Sequence, residues 1–509
     1  MPRSSSNGAA EARDGPAPEP PSPAGSGSLA LLTDLYELTM AYGYFQAADP
    51  DREAVFVLSF RDEPFDGGYA VACGMAPAVE FLERLRFQDD DLTYLASLST
   101  AAGGPLFSSD FLEHLRGFRF RCDVDMVEEG QTVFAHAPLV RVRGPILQAQ
   151  LVETALLNIV NFQTLIATKA ARVTMAAGGQ PVLEFGLRRA QGMDGALSAS
   201  RAAYIGGCTA TSNVLAGKRF GIPVAGTHAH SWVMSFDDEM TSFEAFAEAM
   251  PGNCVLLVDT YDSLQGVRNA VAVGERLRAR GHELLGIRLD SGDLAYLSIE
   301  ARRILDEGGF PDATIYASNE LDERIIESLK LQGAAIGAWG VGTRLVTGGD
   351  QSALGGTYKL SALRQEDGAW VQRIKLSEQT AKVSIPGVLQ VRRFSRGGEP
   401  IGDMIYDETD PPGESPTMID PLDPTRRKRF GPDCDTENLL IPVMRGGERV
   451  GDLPGIEEAR ATARERVDRL HPTVKRFVNP HRYPVGLEEK LSAHRTKLIL
   501  EGRQGTSGD

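Results

Sequence analysis

The chain has 509 residues, of which 42% are apolar, and its formal net charge is −16 at pH 7. The negative charge argues against a nucleic-acid-binding coat, which normally has a basic face. No stretch approaches the roughly 18–20 apolar residues that a membrane-spanning helix needs. Five scattered cysteines without a C-x-x-C pair are typical of reduced thiols, so we expect a cytoplasmic protein without nucleic-acid or membrane partners.

The first 28 residues are rich in Pro, Ser, Gly and Ala. A secretory signal needs an apolar stretch, which this segment lacks. The segment also has too few apolar side chains to offset the entropy cost of ordering, so we expect residues 1–28 to be disordered. At the other end of the chain, residues 504–509 are expected to be frayed.

Residues 29–147 have the pattern of an α+β domain. The stretch LLTDLYELTMAYGYF has its apolar residues near helical spacing, with Tyr36 at the edge of the apolar stripe. Alternating runs such as AVFVLSF and FRFRCDVDMV then predict a mostly antiparallel sheet. A long helical stretch follows from Ile146, with Lys169 and Arg172 near its end, where cations suit the helix dipole.

Residues 148–360 change to a repeated strand–helix rhythm. Helical patterns fill most of the gaps between short apolar runs, which are PVLEFG, AAYIGG, IPVAGT, CVLLVDT, ELLGIRLD, ATIYAS and AAIGAWG. Repeated units of this kind predict a parallel sheet, either open or closed into a barrel. Because the crossovers between parallel strands are right-handed, the carboxyl ends of all strands gather at one end of the sheet.

Polar or charged residues follow nearly every one of these runs. Arg188 and Arg189 come after EFG, the motif Thr-His-Ala-His-Ser comes after VAG, and Ser-Gly-Asp comes after GIRLD. In barrels of alternating strands and helices, the active site lies at the carboxyl ends of the strands. The sequence therefore predicts an active site at this end of the sheet.

The motif GTHAHSW puts His228 and His230 on one side of an extended chain. A binuclear metal site of the barrel-hydrolase kind needs further His and Asp ligands from later strands, but between His230 and residue 360 only His282 remains, at the wrong end of its strand. A Ser–His relay needs a nucleophilic turn of the G-x-S-x-G type, which is absent. Both interpretations therefore lack residues that they need.

The remaining groups favour an anionic substrate. Arg188, Arg189 and Arg288 offer planar forks for a carboxylate or a phosphate. Glycine-rich segments after the strands offer backbone amides that can hold an anion. Arg288 and Asp290 share one strand face, so an internal ion pair is an open alternative for these two residues.

Taken together, these residues resemble the nicotinate phosphoribosyltransferase family. The resemblance covers roughly residues 29–385 in eight blocks that keep the family's order. The blocks are LLTDLYELTMAYGYF, EFGLRRAQGMDGALSAS, YIGGCTATSNVLAG, PVAGTHAHSWVMSF, LVDTYDSLQGVRNA, GIRLDSGD, ASNELDE and GVGTRLVTGGDQSALGGTYKL.

The resemblance implies an irregular (α/β) barrel of the type II phosphoribosyltransferase kind (148–360) beside an N-terminal α+β domain (29–147). A C-terminal segment (361–503) is expected to pack on both. The implied reaction converts nicotinate and 5-phosphoribosyl 1-pyrophosphate into nicotinate mononucleotide and pyrophosphate, with coupled ATP hydrolysis. This is the first step of NAD synthesis from nicotinate. The family also implies dependence on Mg²⁺, through ligands that the sequence does not identify, and a homodimer whose active site crosses the subunit boundary.

The resemblance also implies roles for individual residues. His230 matches the histidine that ATP phosphorylates, and Tyr36 matches a tyrosine that stacks on the pyridine ring from the partner subunit. Thr227 and Arg288 match residues that hold nicotinate, with Arg288 on the carboxylate. The residues expected at the phosphoribosyl pyrophosphate are Thr343, Gly342, Arg188, Asp290 and Asn319.

Two positions depart from the family's pattern. His228 stands where the family is usually apolar, and Leu389 stands where a lysine usually follows the Pro-Gly pair. Two alternatives also stay open: a phosphoribosyltransferase of the same fold acting on nicotinamide or quinolinate, and a non-catalytic relative that only binds ligand. Arg288 favours a carboxylate over an amide, and the complete set of Tyr36, His230 and Arg288 favours an enzyme.

Overall fold

The computed structural model describes residues 28–47, 49–377 and 383–504. The expected disordered tail lies outside the described residues except for Ser28, and so do residues 505–509 of the expected frayed end. Gln504, the first residue of that expected end, is instead the last residue of a helix. In the described part of the chain, no helix is both long enough and apolar enough to cross a membrane.

The helices and strands are numbered in chain order. The helices are α1 Leu35–Ala47, α2 Met75–Arg84, α3 Asp89–Ser97, α4 Ser109–Arg116, α5 Ile146–Leu151, α6 Glu153–Ala177, α7 Met193–Ile205, α8 Val214–Phe220, α9 His230–Met234, α10 Glu239–Ala249, α11 Ser263–Ala279, α12 Leu294–Glu307, α13 Glu323–Leu331, α14 Thr343–Val346, α15 Ile456–Asp468 and α16 Glu489–Gln504. The strands up to the barrel are β1 Glu53–Phe60, β2 Ala70–Val71, β3 Asp123–Met126, β4 Thr132–Val133 and β5 Val140–Pro145. The barrel strands are β6 Val182–Glu184, β7 Ala210–Thr211, β8 Val255–Leu257, β9 Gly286–Leu289, β10 Thr314–Asn319 and β11 Ala338–Val341. The later strands are β12 Gly356–Arg364, β13 Trp370–Gln372, β14 Leu389–Arg396, β15 Glu399–Asp407, β16 Thr417–Ile419, β17 Arg427–Arg429, β18 Asp435–Asn438, β19 Ile441–Arg445, β20 Glu448–Arg449 and β21 Val485–Glu488.

An antiparallel sheet forms the N-terminal part of the molecule, as the alternating runs predict. Its strands lie in the order β13-β12-β1-β5-β3-β19-β20. Strand β1 is buried along almost its whole length between β12 and β5. The strands β12, β13, β19 and β20 come from beyond residue 355, so the C-terminal segment builds part of this sheet. Strand β12 also spans the expected boundary at residue 360.

The repeated strand–helix units form a parallel sheet with the strand order β7-β6-β11-β10-β9-β8. Val224 extends it beyond β7 through a parallel bridge to Thr211. The described residues show no backbone pairing between Val224 and β8, so the barrel is irregular, as expected. The Val224 bridge and β8 border the gap, which we call the seam.

One run predicted as a strand, AAYIGG, is instead the end of helix α7 and the two glycines after it, so that prediction was wrong. A short apolar run cannot be distinguished from a buried helix by periodicity alone. Here the small residues let α7 pack closely on α6: a Cβ on Gly206 would lie 2.3 Å from the carbonyl oxygen of Ala167.

A third sheet, in the order β17-β16-β21-β15-β14-β18, comes entirely from the C-terminal segment. Helix α15 packs on α7, and α16 packs on β16 and β21. The long helix α6 contacts α2 and β2 of the N-terminal part as well as α7 and α13 of the barrel, and so joins the two parts. The C-terminal segment therefore touches both of the other parts of the chain.

Candidate active site

Polar side chains meet at the carboxyl ends of the parallel strands, where the sequence predicts the active site. Parallel strands direct their carboxyl ends to one edge, so residues far apart in sequence come together there. We call this group the barrel mouth. It consists of Thr227 and His230 after the Val224 bridge, Asp259 and Thr260 after β8, Arg288 and Asp290 at β9, Ser318 and Asn319 at β10, and Gly342 and Thr343 after β11.

Arg288 is held by three neighbours in the barrel mouth. Its Nε donates to Ser318 Oγ at 2.7 Å, and its Nη1 donates to Thr227 Oγ1 at 3.1 Å. Its Nη2 donates to Asp290 Oδ1 at 2.9 Å, so the ion pair considered from the sequence is present. Contacts from all three nitrogens fix the plane of the guanidinium.

The guanidinium of Arg288 keeps unused donor capacity. It has five N–H groups, and the three bonds leave one on Nη1 and one on Nη2 without a partner in the described part of the chain. The side chain is only 14% exposed, and its guanidinium carbon lies 5.4 Å from the centre of the Phe185 ring. That ring fits because residue 340 is glycine: a Cβ there would lie 2.7 Å from the ring.

Asp290 is ionised at neutral pH. Partial burial acts to raise the pKa of Asp290, but the hydrogen bond from Ser318 and the charge of Arg288 outweigh it and leave the pKa below its ordinary value. The Ser318 hydroxyl donates to the same carboxylate oxygen that Arg288 contacts. The barrel mouth therefore carries a fixed negative charge beside its cation.

His230 opens helix α9 and has one ring nitrogen occupied. Its Nδ1 lies 3.1 Å from Thr260 Oγ1, and its Nε2 lies 3.7 Å from Asp290 Oδ2. The side chain is 39% exposed, and Nε2 makes no hydrogen bond with another described residue. An imidazole held through one nitrogen and open at the other has the arrangement of a nucleophile.

His228, two residues earlier, has a different environment. The residue is 8% exposed, and the Nε2 of its ring accepts a hydrogen bond from the backbone N–H of Leu257 at 3.1 Å. Burial lowers the pKa of His228 to about 4. The two histidines therefore do not form a matched pair.

The loops after β10 and β11 bring the next predicted residues to the same edge. Asn319 has a φ of 132°, which turns the chain sharply at the end of β10. Thr343 Oγ1 donates to Glu320 Oε1 at 3.1 Å. Gly342 lies close to the loop after β6, because a Cβ there would be 3.1 Å from the carbonyl oxygen of Phe185.

Arg188 lies at the rim of the barrel mouth, in a short 3-10 helix, Leu187–Arg189, directly after β6. Its side chain is exposed, and it makes no hydrogen bond or ion pair with another residue that the structure describes. A cation without a protein partner at this position is available to an anionic ligand.

Tyr36 lies apart from these residues, on α1 in the N-terminal part of the molecule. No hydrogen bond or ring contact between described residues joins it to the barrel mouth, and its side chain is 47% exposed. Partial burial and the carboxylates of Glu153 and Glu37 raise the pKa of Tyr36 to about 12, so the phenol is neutral at neutral pH. Within the described part of the chain, Tyr36 thus makes no hydrogen bond or ring contact with Arg288.

Several contacting residues were not assigned roles from the sequence. Among them are Thr260, which holds His230; Ser318, which joins Arg288 to Asp290; Phe185, which lies beside Arg288; and Asp259, which accepts hydrogen bonds from the Asp290 backbone and from Ser291. Each stands at the carboxyl end of a predicted strand. That position was the available signal, but it does not show which side chains touch.

The described residues contain no group of three or more His, Cys, Asp or Glu side chains arranged to hold a metal ion. One carboxylate oxygen of Asp259 is nevertheless buried without a hydrogen-bond partner in that part of the chain. A buried carboxylate oxygen without a donor is suited to a cation. Asp259 is therefore the residue to consider for a cation at the barrel mouth.

Leu389, which stands where the family pattern has a lysine, is buried at the start of β14. It lines a small cavity of about 70 Å³ on the N-terminal sheet, together with Arg61, His136 and Lys359. Burial lowers the pKa of Lys359. The expected cation is thus missing at residue 389, while two other cationic side chains line the same cavity.

Comparisons with known proteins match successive parts of the chain to one family. Family models match as follows: the nicotinate phosphoribosyltransferase N-terminal domain at residues 31–161, the nicotinate phosphoribosyltransferase family at 181–369, and the nicotinate phosphoribosyltransferase C-terminal domain at 390–495. A nicotinate phosphoribosyltransferase of Bacillus subtilis (strain 168) is 45% identical, over 93% of this chain and 96% of its own length. The relative of that name in Homo sapiens is 35% identical, over 91% of this chain and 95% of its own.

The fold agrees as well. The crystal structure of human nicotinic acid phosphoribosyltransferase superposes with a TM-score of 0.80 at 33% identity, and covers 92% of this chain and 99% of that one. This match confirms the expected type II phosphoribosyltransferase fold. The relatives are named as enzymes that act on nicotinate, which does not favour the alternatives of another pyridine or of a non-catalytic protein. The chain belongs to the nicotinate phosphoribosyltransferase family.

Proposed function

We propose that the chain transfers the phosphoribosyl group of 5-phosphoribosyl 1-pyrophosphate to nicotinate, which yields nicotinate mononucleotide and pyrophosphate. The observation that carries this proposal is Arg288, with two unused N–H donors in a largely buried position. A carboxylate can accept from both donors. The amide of nicotinamide offers one oxygen and places an NH₂ group against a cation, so it would leave a donor unpaired at a cost in affinity.

In the proposed step, the lone pair of the pyridine nitrogen forms the bond to C1′ of the ribose. The bond from C1′ to the pyrophosphate oxygen breaks, and its electron pair leaves with pyrophosphate. No proton is transferred, so the protein's contribution is alignment and stabilisation of the leaving charge. Arg288 and Thr227 orient nicotinate, while Arg188, Asn319, Gly342 and Thr343 are proposed to hold the phosphoribosyl pyrophosphate.

Mg²⁺ fits the residues at the barrel mouth. This ion usually takes one or two protein carboxylates together with substrate phosphates. Asp259 offers a buried oxygen without a partner among the described residues, and its other oxygen accepts the backbone N–H of Asp290, whose own carboxylate is held ionised. We propose that these two carboxylates hold Mg²⁺, which when bound would neutralise charge on the pyrophosphate.

His230 is the proposed acceptor of a phosphoryl group from ATP. The lone pair of Nε2 would attack the γ-phosphorus while the bond to the β-phosphate oxygen breaks and ADP leaves. The contact of Nδ1 with Thr260 supports Nε2 as the attacking atom. Asp290, next to Nε2, then joins the phosphorylation site to Arg288, so we propose that ATP hydrolysis is coupled to substrate binding through this carboxylate.

A homodimer is proposed because Tyr36 has no contact with the barrel mouth among the described residues, although the resemblance places it at the pyridine ring. Tyr36 belongs to an exposed apolar strip with Leu29, Leu32 and Leu35. Large apolar side chains are also exposed around the barrel mouth, namely Leu187, Met193, Met234 and Tyr261. In a two-fold dimer, the strip of each subunit can cover the mouth of the other and bring Tyr36 over the pyridine ring.

We also propose that the enzyme works in the reducing environment of the cytoplasm. All five cysteines are unpaired thiols, and four of them are buried. Burial raises the pKa of the Cys254 thiol to about 11, so this group is not a reactive thiolate.

Replacement of His230 by Ala tests the coupling. The variant is expected to form nicotinate mononucleotide slowly and to lose all stimulation by ATP, while radiolabel from γ-labelled ATP marks only the wild-type chain. Replacement of the exposed His282 by Ala serves as the control. Undiminished stimulation by ATP in the His230→Ala variant would refute the coupling.

A further inference from the structure

The seam of the barrel has a backbone group that needs a partner. Directly after β8, the N–H of Val258 donates to the carbonyl oxygen of Arg288 on β9 at 3.2 Å. Because successive N–H groups along a strand point to opposite neighbours, the N–H of Leu257 points into the seam. Leu257 is buried, so this N–H would be unsatisfied if no acceptor reached it.

His228 supplies that acceptor from the other side of the seam. Its Nε2 accepts the Leu257 N–H at 3.1 Å, so Nδ1 carries the ring proton and lies 3.4 Å from the carbonyl oxygen of Ala229. The ring packs edge-on against Phe246 of α10, with 4.7 Å between the ring centres. Burial lowers the pKa of His228 to about 4, so the ring remains a neutral acceptor at neutral pH.

This side-chain bond joins the two segments that hold the proposed substrate groups, and the contact of His230 with Thr260 joins them a second time nearer the barrel mouth. Thr227, next to His228 in the chain, accepts from Arg288 Nη1 at 3.1 Å. On the other side of the seam, Leu257 stands opposite Arg288 in the register of β8 and β9. These residues therefore form a closed circuit. The backbone joins Thr227 to His228, a hydrogen bond joins His228 to Leu257, and strand pairing places Leu257 opposite Arg288, whose Nη1 donates back to Thr227.

We propose that His228 is a positioning residue, which bridges the seam and holds Thr227 against Arg288, and so sets the affinity for nicotinate. The inference rests on the function proposed above. His228 itself touches no substrate. Without its bond to Leu257, the segment after Val224 can shift, and Nη1 of Arg288 loses the partner that orients it. The affinity for 5-phosphoribosyl 1-pyrophosphate depends on other loops and should change little.

Three variants separate positioning from stability. His228→Leu replaces the ring with an apolar side chain that cannot accept the Leu257 N–H. His228→Gln replaces it with a side chain that still offers an acceptor oxygen. Phe246→Leu loosens the packing around the ring without removing the acceptor. The expected results are a KM for nicotinate raised about tenfold in His228→Leu, and largely restored in His228→Gln. The KM for 5-phosphoribosyl 1-pyrophosphate should stay within about twofold of the wild-type value. Phe246→Leu should lower the melting temperature without raising the KM for nicotinate.

The proposal is overturned if His228→Leu binds nicotinate as the wild type does, or if Phe246→Leu raises the KM equally.

A spectroscopic measurement covers the case in which His228→Leu does not fold. With ¹⁵N-labelled histidine there are only eight side chains to resolve, and the His228 signal is the one lost in His228→Gln. The wild-type ring should be neutral, with Nδ1 protonated, from about pH 8 to pH 5; a protonated Nε2 there would overturn the proposal. If the wild type forms no nicotinate mononucleotide, the proposed function fails, whereas the seam bond is judged by this spectrum alone.

Discussion

At the scale of single residues, the site depends on how Arg288 is surrounded. Each of its three nitrogens donates one N–H to a different neighbour, and Phe185 lies beside the guanidinium. A lysine in its place would carry the same charge but could not contact Ser318, Thr227 and Asp290 with three separate nitrogens. Geometry rather than charge alone should therefore decide whether nicotinate binds.

Replacement of Arg288 by Lys tests this argument. We expect the KM for nicotinate to rise by about one to two orders of magnitude, because the bidentate pair with the carboxylate is lost. Steady-state kinetics with nicotinate as the varied substrate would measure the effect. Arg268→Lys, on the exposed side of α11, is the control and should behave as the wild type. An unchanged KM in Arg288→Lys would remove Arg288 from the proposed nicotinate site.

The sequence predicted which residue types gather at the barrel mouth but not how they are connected. The apposition of Thr227, Arg288 and Asp290 followed from strand ends and from the family resemblance. The contact of Thr260 with His230 did not, because the rotation of an imidazole is decided by packing that is not local in sequence. The role of His228 at the seam could not be predicted either, since it depends on one N–H left over by the pairing of β8 with β9.

At the scale of elements, the seam links barrel stability to pH. An unfolded histidine binds a proton below about pH 6.5, whereas folded His228 does so only near pH 4. Between these values the unfolded state binds more protons, so stability rises with pH and is lost as pH falls toward 4. Among the described residues, Arg288 and His230 are the groups whose charges also lower the pKa of this ring, and both remain in a His228 variant.

The expected result is a weaker pH dependence of unfolding in His228→Gln. Its unfolding free energy should change less steeply than that of the wild type between about pH 4.5 and 6, by up to about 1.4 kcal/mol per pH unit. Chemical denaturation at several pH values would measure this difference. Phe246→Leu, which has no titratable group, should keep the wild-type slope. Equal slopes for the wild type and His228→Gln would contradict the buried, neutral state of His228.

Helix α6 is joined to α13 by buried charges. Glu323 contacts Lys169 Nζ at 2.7 Å and Arg172 Nε at 2.9 Å, and all three side chains are buried. From the sequence, the two cations are predicted near the end of a helix, where the helix dipole favours positive charge. The structure gives a different reason, since the partner comes from a helix about 150 residues later.

Replacement of Glu323 by Gln should leave two buried cations without a counter-charge. We expect the free energy of unfolding to fall by about 3–5 kcal/mol, the cost of breaking a buried pair from one side. Thermal and chemical denaturation would measure the loss. Glu327→Gln, on the exposed face of the same helix, should change stability by less than about 0.5 kcal/mol. Equal stability of the two variants would contradict the argument.

At the scale of the whole molecule, the fold interleaves distant parts of the chain. The alternation patterns predicted the antiparallel and parallel sheets, because each depends on local periodicity. They did not predict that β12, β13, β19 and β20 complete the N-terminal sheet, since strand pairing across about 300 residues leaves no periodic signal. A single chain gives only indirect signs of the expected dimer. These are the exposed apolar side chains and the lack of contact between Tyr36 and Arg288 among the described residues.

Mixing two inactive variants tests whether the site is shared. A mixture of Tyr36→Ala and Arg288→Ala chains forms heterodimers in which one of the two sites combines an intact Tyr36 with an intact Arg288. Random exchange should therefore restore about a quarter of the wild-type activity. If each site were built from one chain, every site would carry a lesion and mixing would restore nothing.

The most direct measurement of the central claim is a comparison of nicotinate and nicotinamide as substrates of the wild-type protein. Each would be supplied with 5-phosphoribosyl 1-pyrophosphate and Mg²⁺, with and without ATP. The unused donors of Arg288 predict formation of nicotinate mononucleotide, faster with ATP, and at least about a hundredfold lower kcat/KM for nicotinamide. Equal use of the two pyridines, or no product from nicotinate, would contradict it.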